Sequence, residues 1–401
     1  MTAQSILLTD NYSSLFEQFV GRTLKALMTA SQAEGETLSA ATRHRALRTL
    51  DFALESVATQ LGAVTLLAEI APKMEQAGLR EEWIPYLEMA VRLSRNQHDA
   101  NHAGEFELQI GTLYRMMAKF DQALPWLTAS RQDFLASGNR KGQARALNEI
   151  AWVEQLNNQF ERAKEHVEQA LAMIDKNDEI ERAMSYRVQG AIADQEQRWK
   201  EAENFHRSAL MLFERHKDRR KAAWCRQNLA YSLREQKRFE ESISNYQRAA
   251  ETLRQLGDDY HWSIVQVGLG HTYLNVGEST KAMACFRSAE KVALRLHDSL
   301  QLARIYTNLG LILMSLSDYA EAERSFRAAM DWYEALKDRG WYLNAVDGLA
   351  MTYLARQQYG DAIAVLTKAI AMLPEVTNTP NYHHLQQSLH EHLRQAQAAS
   401  T

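Results

Sequence analysis

Apolar and small residues recur along this chain at helical spacing, and the whole pattern returns about every forty residues. One copy, Ala303 to Asp338, reads ARIYTNLGLILMSLSDYAEAERSFRAAMDWYEALKD. Its frame is a small residue, a turn, an aromatic, a small residue three positions on, and another small residue seven beyond that. The first of these later small residues falls at Ala123, Ala163, Ala202, Ser242, Ala282, Ala322 and Ala362, at intervals of 40, 39, 40, 40, 40 and 40. Three residues earlier stand Phe120, Phe160, Trp199, Phe239, Tyr319 and Tyr359, with Ser279 the exception. Seven residues later come Ser130, Ala170, Ala209, Ala249, Ala289, Ala329 and Ala369, and twelve before come Gly111, Ala151, Gly190, Ala230, Gly270, Gly310 and Ala350. A fixed period of this size predicts stacked helical hairpins.

Each position has a physical reason. The small residues mark places where two helices cross too closely for a larger side chain, and the aromatics are expected to fill the wedge between neighbouring pairs. Asp178, Asp218, Asp258, Asp298 and Asp338 fall between copies and predict helix N-caps, each carboxylate accepting from free backbone N–H groups. A helix of some fourteen residues is marginal alone in water, so stacking must supply the stability.

The ends of the chain depart from the pattern. Residues 1–62 predict two helices, about 11–32 and 38–60, with EGET (34–37) as the turn between them. A cap over the open core of the first repeat is one role for them; an effector or dimerisation module, and so self-association through these helices, is the other. Residues 63–103 predict a degenerate first repeat. Ala71, Leu87 and Ala90 keep its frame, but Trp83 stands where a small residue belongs, predicting a wider helix crossing. Seven regular copies occupy 104–373. Pro374 and Pro380 then end helices, and 374–401 closes with a capping helix carrying Leu385, Leu389 and Leu393 on one side.

Composition narrows the function. Charged residues make up 24% of the chain and the net charge is −4, so no global attraction to nucleic acid or anionic membrane is expected. There is no apolar run of eighteen residues, and no basic segment followed by an apolar core at the start, so neither a membrane span nor an export signal is expected. Two cysteines, Cys225 and Cys285, both within helical stretches, fit a reduced, cytoplasmic protein. His383, His384, His390 and His392 crowd the last helix without an i, i+4 pair, which predicts solvated histidines and no metal. Lys217, Arg219, Arg220 and Lys221 form a basic knot that reads as a solvated turn. Gly268 and Gly270 follow no strand, so a dinucleotide loop is discarded. No nucleophile elbow, phosphate loop or zinc motif occurs. No catalysis and no cofactor are expected.

The frame resembles the tetratricopeptide repeat. Its pattern is met by Leu309, Gly310, Leu313, Tyr319, Ala322, Phe326 and Ala329, and again by Leu349, Ala350, Tyr353, Tyr359, Ala362, Leu366, Ala369 and Pro374. The resemblance implies an all-α fold, a right-handed superhelical α-solenoid. The long period is similar to that of kinesin light chains, MalT-type sensor arms and Rap-type regulators. It further implies that the first helix of each hairpin lines a concave groove through its positions 2, 5, 9 and 12. These positions carry Glu105, Thr112 and Arg115, then Arg145, Asn148, Trp152 and Gln155, then Arg187 and Asp194, then Trp224, Gln227, Tyr231 and Arg234. The later copies are more apolar: Ile264, Val267, His271 and Leu274, then Thr307, Leu311 and Met314, then Met351 and Leu354, with Arg304, Asn344 and Asp347 as polar exceptions.

Aromatics and arginines are common anchors of binding surfaces, which singles out Trp152, Trp224 and Tyr231; the alternative is that these rings only fill gaps between adjacent first helices. The family's carboxylate clamp is absent, since only Asn228 and Asn308 occupy its asparagine position 6. The expected function is a non-catalytic scaffold or adaptor holding a protein or peptide in the groove. The alternative is a regulatory sensor whose bound peptide or small ligand controls a signalling or transcription partner.

Overall fold

The computed structural model describes residues 3–35, 37–76, 78, 80–377 and 382–400, with side chains from residue 12 onward. Glu36 and Pro380, on which two of the expected helix breaks partly rest, lie outside the described residues. The chain divides into two compact units, Met1–Trp262 and Ser263–Thr401. The first holds α1 (Ala3–Ala33), α2 (Ala40–Ala53), α3 (Gln60–Gln76), α4 (Ile84–Asn96), α5 (Ala100–Met116), α6 (Phe120–Ala136), α7 (Arg140–Leu156), α8 (Phe160–Met173), α9 (Glu179–Gln195), α10 (Trp199–Arg215), α11 (Arg219–Glu235) and α12 (Phe239–Gln255). The division falls within α13 (Asp259–Asn275). The second holds α14 (Ser279–Arg295), α15 (Ser299–Ser315), α16 (Tyr319–Ala335), α17 (Arg339–Ala355), α18 (Tyr359–Met372), a 3-10 turn over Leu373–Val376, and α19 (Tyr382–Ser400).

All regular structure among the described residues is helical. In α5–α12 and α15–α18 each odd-numbered helix packs on the next even one, and hairpin packs on hairpin within each unit. This is the all-α solenoid the repeat predicts. Most repeat helices run seventeen residues and are joined by three: a C-cap, a left-handed residue and an N-cap. Ten of the left-handed positions are not glycine, among them His98, Ala118, Lys217, Ser317 and Lys337; Gly138, Gly257 and Gly277 fill three more. The one interval of 39 has a local cause. Helix α8 stops at Met173, Ile174 is extended at φ −92° and ψ 139°, and no left-handed residue follows.

The small positions are small for a visible reason. Ala123, Ala163, Ala202, Ser242, Ala282, Ala322 and Ala362 are fully buried. A Cβ on Gly310 would come within 2.7 Å of the Phe326 ring, and one on Gly111 within 2.5 Å of Leu127. Where serine replaces alanine, its hydroxyl donates to a backbone carbonyl: Ser130 to Gly104 and Ser242 to Ala230, both at 2.7 Å. The aromatics expected to fill the wedge open the second helix of each hairpin and are only half-buried.

The N-cap prediction holds at Asp218, Asp258, Asp298 and Asp338, whose carboxylates accept from Lys221, His261, Gln301 and Trp341. Asp178 caps nothing with its side chain, because Lys141 holds that carboxylate at 2.5 Å.

Two expectations near the start need correction. The single helix over 38–60 is broken at Leu54, where Thr59 Oγ1 donates to the Ala53 carbonyl and Gln60 Nε2 to that of Leu54. Trp83 does not stand inside its helix as the repeat frame predicts. Helix α4 starts one turn late, and Trp83 is its N-cap residue, fully buried beside Tyr86. A single core joins Leu24, Leu27, Leu50, Leu67, Ile70, Trp83, Leu87, Phe106 and Leu113, so α1–α5 share one core, with α3 and α4 packed directly on α5.

Candidate binding site

Positions on α5, α7, α9 and α11 bring four predicted residues into one ladder. Helical spacing puts one residue of each on a common face. Arg115 donates from Nε to Glu149 at 2.7 Å and lies 5.8 Å from the Trp152 ring centre. The Arg187 guanidinium sits between two indoles, 4.2 Å from Trp152 and 4.9 Å from Trp224. Arg220 lies 4.6 Å from Trp224 and donates to Asp258 at 2.7 Å and to Glu75 at 3.1 Å. Trp224 Nε1 donates to Asp258 at 3.3 Å, and its ring meets that of His261 at 4.4 Å. Beyond His261, Tyr260 carries Arg80 at 4.0 Å. From Arg115 to Arg220 cation and ring alternate, and each such contact stabilises by about 0.5–2 kcal/mol depending on how dry it is.

Burial sets the charge states. It lowers the Arg187 guanidinium to about 10, with Arg115 and Arg220 adding like-charge repulsion, so the group remains a cation at neutral pH. Burial also opposes ionisation of Asp258, yet His261 and Arg220 outweigh it and hold that carboxyl below its usual value. His261 is lowered by burial more than Asp258 raises it. Cys225, next to this wall, has its thiol pushed up to about 12 by burial, and Cys285 to about 11; both stay protonated and unreactive.

The other predicted residues lie elsewhere. Asn148 is buried and donates to Ser185 at 3.0 Å, tying α7 to α9. Arg145 pairs with Glu105 at 2.7 Å on the surface. Gln227 is half-buried and reaches only its neighbour Asn228. Tyr231 turns to Trp199, 6.1 Å away, and carries Arg234 at 4.8 Å, apart from the ladder's contacts. Asp194 is internal, accepting from Ser232 at 2.7 Å and contacting His206 at 2.9 Å. In the second unit, His271 packs edge-on to Phe286 at 5.4 Å, Met314 is half-buried against the core, and Leu311 is 46% exposed.

Glu75, Arg80, Arg220, Asp258, Tyr260 and His261 were not foreseen as site residues. Arg220 was legible, since it stands one turn before Trp224 on the same face; the basic knot around it drew it into a turn instead. Glu75 and Arg80 come from the irregular N-terminal region, where no period assigns a face. They matter because they reach the ladder's far end from α3 and the segment after it. Thr37 joins them, its Cγ2 lying 3.4 Å from where a Cβ on Gly257 would be.

A shallow cleft of about 270 Å3 is lined by Lys164, Glu168, Gln189, Ile192, Arg198, Glu201 and Phe205. Its main cations are already paired with Glu161, Glu196 and Glu201, which leaves it little to offer a ligand. Among the described residues no helix is long and apolar enough to cross a membrane.

A stack of helical hairpins with its distinctive side chains along the first helices is a repeat protein of the α-solenoid class. The sequence profile of the tetratricopeptide repeat matches residues 105–176, 219–295 and 301–375, more than half of the chain, and the chain belongs to that family. No curated protein sequence matches it. Among solved structures, a Rap protein complexed with Competence and Sporulation Factor is similar over 84% of this chain and 99% of its own, at 15% identity and a TM-score of 0.55. A signal-transduction ATPase with a tetratricopeptide repeat sensor from Pyrococcus horikoshii covers 90% of this chain with 52% of its own, at 15% identity and 0.54. The apo quorum sensor NprR from B. thuringiensis covers 69% with 80% of its own, at 12% identity and 0.53. At these identities the likeness is one of fold.

Proposed function

We propose that this chain is a non-catalytic regulatory sensor that holds a ligand against the inner wall formed by α5, α7, α9 and α11. One observation carries the reading. Glu75, at the end of α3, bonds to Arg220 on the same wall, and Arg80 lies over Tyr260 at the start of α13 beside it. A ligand that takes those partners must displace Glu75 and Arg80, so occupancy of the wall and placement of the N-terminal helices are thermodynamically linked. An adaptor needs no such link. The solved structures of similar fold support the reading: one is of a Rap protein holding Competence and Sporulation Factor, one carries a repeat sensor and one is a quorum sensor.

The N-terminal helices offer an output surface. Tyr12 is 70% exposed, and Leu15, Phe16 and Phe19 on α1 are exposed beside Phe52. Such a face suits a protein partner or a second copy. The two protonated, unpaired cysteines fit a cytoplasmic setting. The adaptor reading keeps one support of its own, the apolar wall of the second unit around Leu311 and Met314, which suits an amphipathic helix.

Hydrogen exchange on the full chain, with and without the low-molecular-mass fraction of an extract of its native cells, tests the proposal. Exchange should slow in α7–α11 and quicken in α3, and Trp152→Ala with Trp224→Ala should abolish both. Slowing without any change in α3 would return the chain to the adaptor class. No response in either place would sink the binding wall itself.

A further inference from the structure

The sensor reading leaves open what chemistry the wall selects, and the charges along the ladder bear on that question. Three arginines of the first helices lie against its indoles. Arg115 is matched by Glu149, and Arg220 by Glu75 and Asp258. Arg187 has no such match. Only 7% of its surface is exposed, its Nε is buried without an acceptor, and among the described residues no carboxylate or carbonyl bonds to it. The rings of Trp152 and Trp224 lie 4.2 and 4.9 Å from its guanidinium carbon and can accept none of its N–H groups in plane, so those groups are left for a partner.

A buried, unpaired charge is strongly unfavourable, and folded chains normally supply an internal counterion or a neutral residue instead. The two indoles hold the cation but cannot accept its hydrogen bonds. The planar guanidinium is itself shaped for a two-pronged contact with an oxyanion. Replacement of Arg187 by the histidine, leucine or methionine found on other faces of these helices would fill the gap between the rings without this cost.

We infer that Arg187 anchors one compact oxyanion of the ligand, a carboxylate or a phosphate, at the centre of the wall. The inference rests on the wall being a binding surface and adds the class of group it takes. Glu75, on Arg220, shows that a carboxylate is accommodated one rung away. The anchor is distinct from the asparagine–lysine clamp that the family pattern would have supplied, because it uses a single arginine and two rings.

The test uses the full chain in chloride buffer, titrated with inorganic phosphate or with acetate at constant ionic strength. Trp152 and Trp224 are two of the chain's eight tryptophans, so the fluorescence change is read as the difference between wild type and the Arg187 variants, and melting temperature reports on binding. One of the two anions should raise the melting temperature of the wild type and alter its fluorescence saturably, and which one does so distinguishes phosphate from carboxylate. Arg187→Gln should weaken that response at least tenfold and should melt no lower than the wild type in chloride alone. Arg187→Lys keeps the charge but loses the planar fork, and should also weaken binding while remaining folded. Equal responses in wild type and both variants, or no response of the wild type to either anion, would overturn the anchor. Anion binding lost in Arg187→Gln but without any effect on exchange in α3 would keep the anchor and remove the sensor. A ligand fraction that still slows exchange in α7–α11 of Arg187→Gln would do the reverse.

Discussion

Gly190 faces the ring of His206, which stands where other repeats carry leucine, valine, tyrosine or phenylalanine, and a Cβ at Gly190 would overlap that ring. His206 cannot retreat, since its Nε2 is held at 2.9 Å by the buried Asp194. Gly190→Ala should therefore cost about 1–3 kcal/mol as overpacking, measured by urea unfolding. Glu107 is a second case. It is fully buried, contacts Arg95 at 2.5 Å, and is raised by burial from its ordinary 4.5 to about 8, with Arg95 working against the shift and Asp133 adding to it. The folded state then keeps a proton that the unfolded chain releases, so its stability declines as pH climbs from about 4.5 to about 8. Glu107→Gln should leave the melting temperature nearly unchanged at pH 5 and raise it at pH 8.5; a lower value at pH 8.5 would show an ion pair that stabilises. Neither partner was readable beforehand. The repeat fixes where a residue sits on its helix, but a buried polar group depends on which side chain the neighbouring helix happens to present.

Helix by helix, the repeat predicted well wherever a turn, an aromatic and a small residue were all present, because those mark the start, the close crossing and the end of each element. Outside the repeat, the apolar pattern alone misled at α2–α3, where Thr59 and Gln60 satisfy backbone carbonyls and end a stretch that still looks helical. Helix α19 is a subtler miss. Four histidines on it were expected to be solvated, yet His392 Nδ1 meets Asp347 Oδ1 at 2.6 Å and Ser388 donates to the other oxygen at the same distance. The hydrogen bond to Asp347 raises the His392 imidazole above its usual value, with burial opposing. A raised value means the stabilisation is complete below the unfolded pKa, near 6.5, and disappears as pH climbs through the folded one. Amides of α19 should thus be better protected at pH 6 than at pH 8.5. His392→Gln should erase that difference, and a pH-independent wild type would refute the pairing.

For the molecule as a whole, stacked repeats distribute stability among neighbours, so a local change should report locally. Glu75→Gln removes a carboxylate held between Arg220 and Gln109. Exchange should rise in α3 and at the start of α11, while α15–α19 remain as before; uniform loosening would mean that the contact supports general stability rather than a link to the wall. Fold class was legible from the period, and the family from the resemblance carried by Leu309, Gly310, Tyr319, Ala322 and their counterparts. The cation–ring ladder was legible in part, since Arg115, Trp152, Arg187 and Trp224 follow from helical phase, while Glu75 and Arg80, which reach it, belong to no period. The left-handed turns carry one more implication. Because seventeen residues of helix and three of turn recur so regularly, one residue inserted inside a helix would rotate everything downstream by about 100° and present the wrong stripe to its neighbour. Lineages of this chain should therefore lengthen or shorten by entire hairpins, with odd-sized changes confined to the extended link at Ile174.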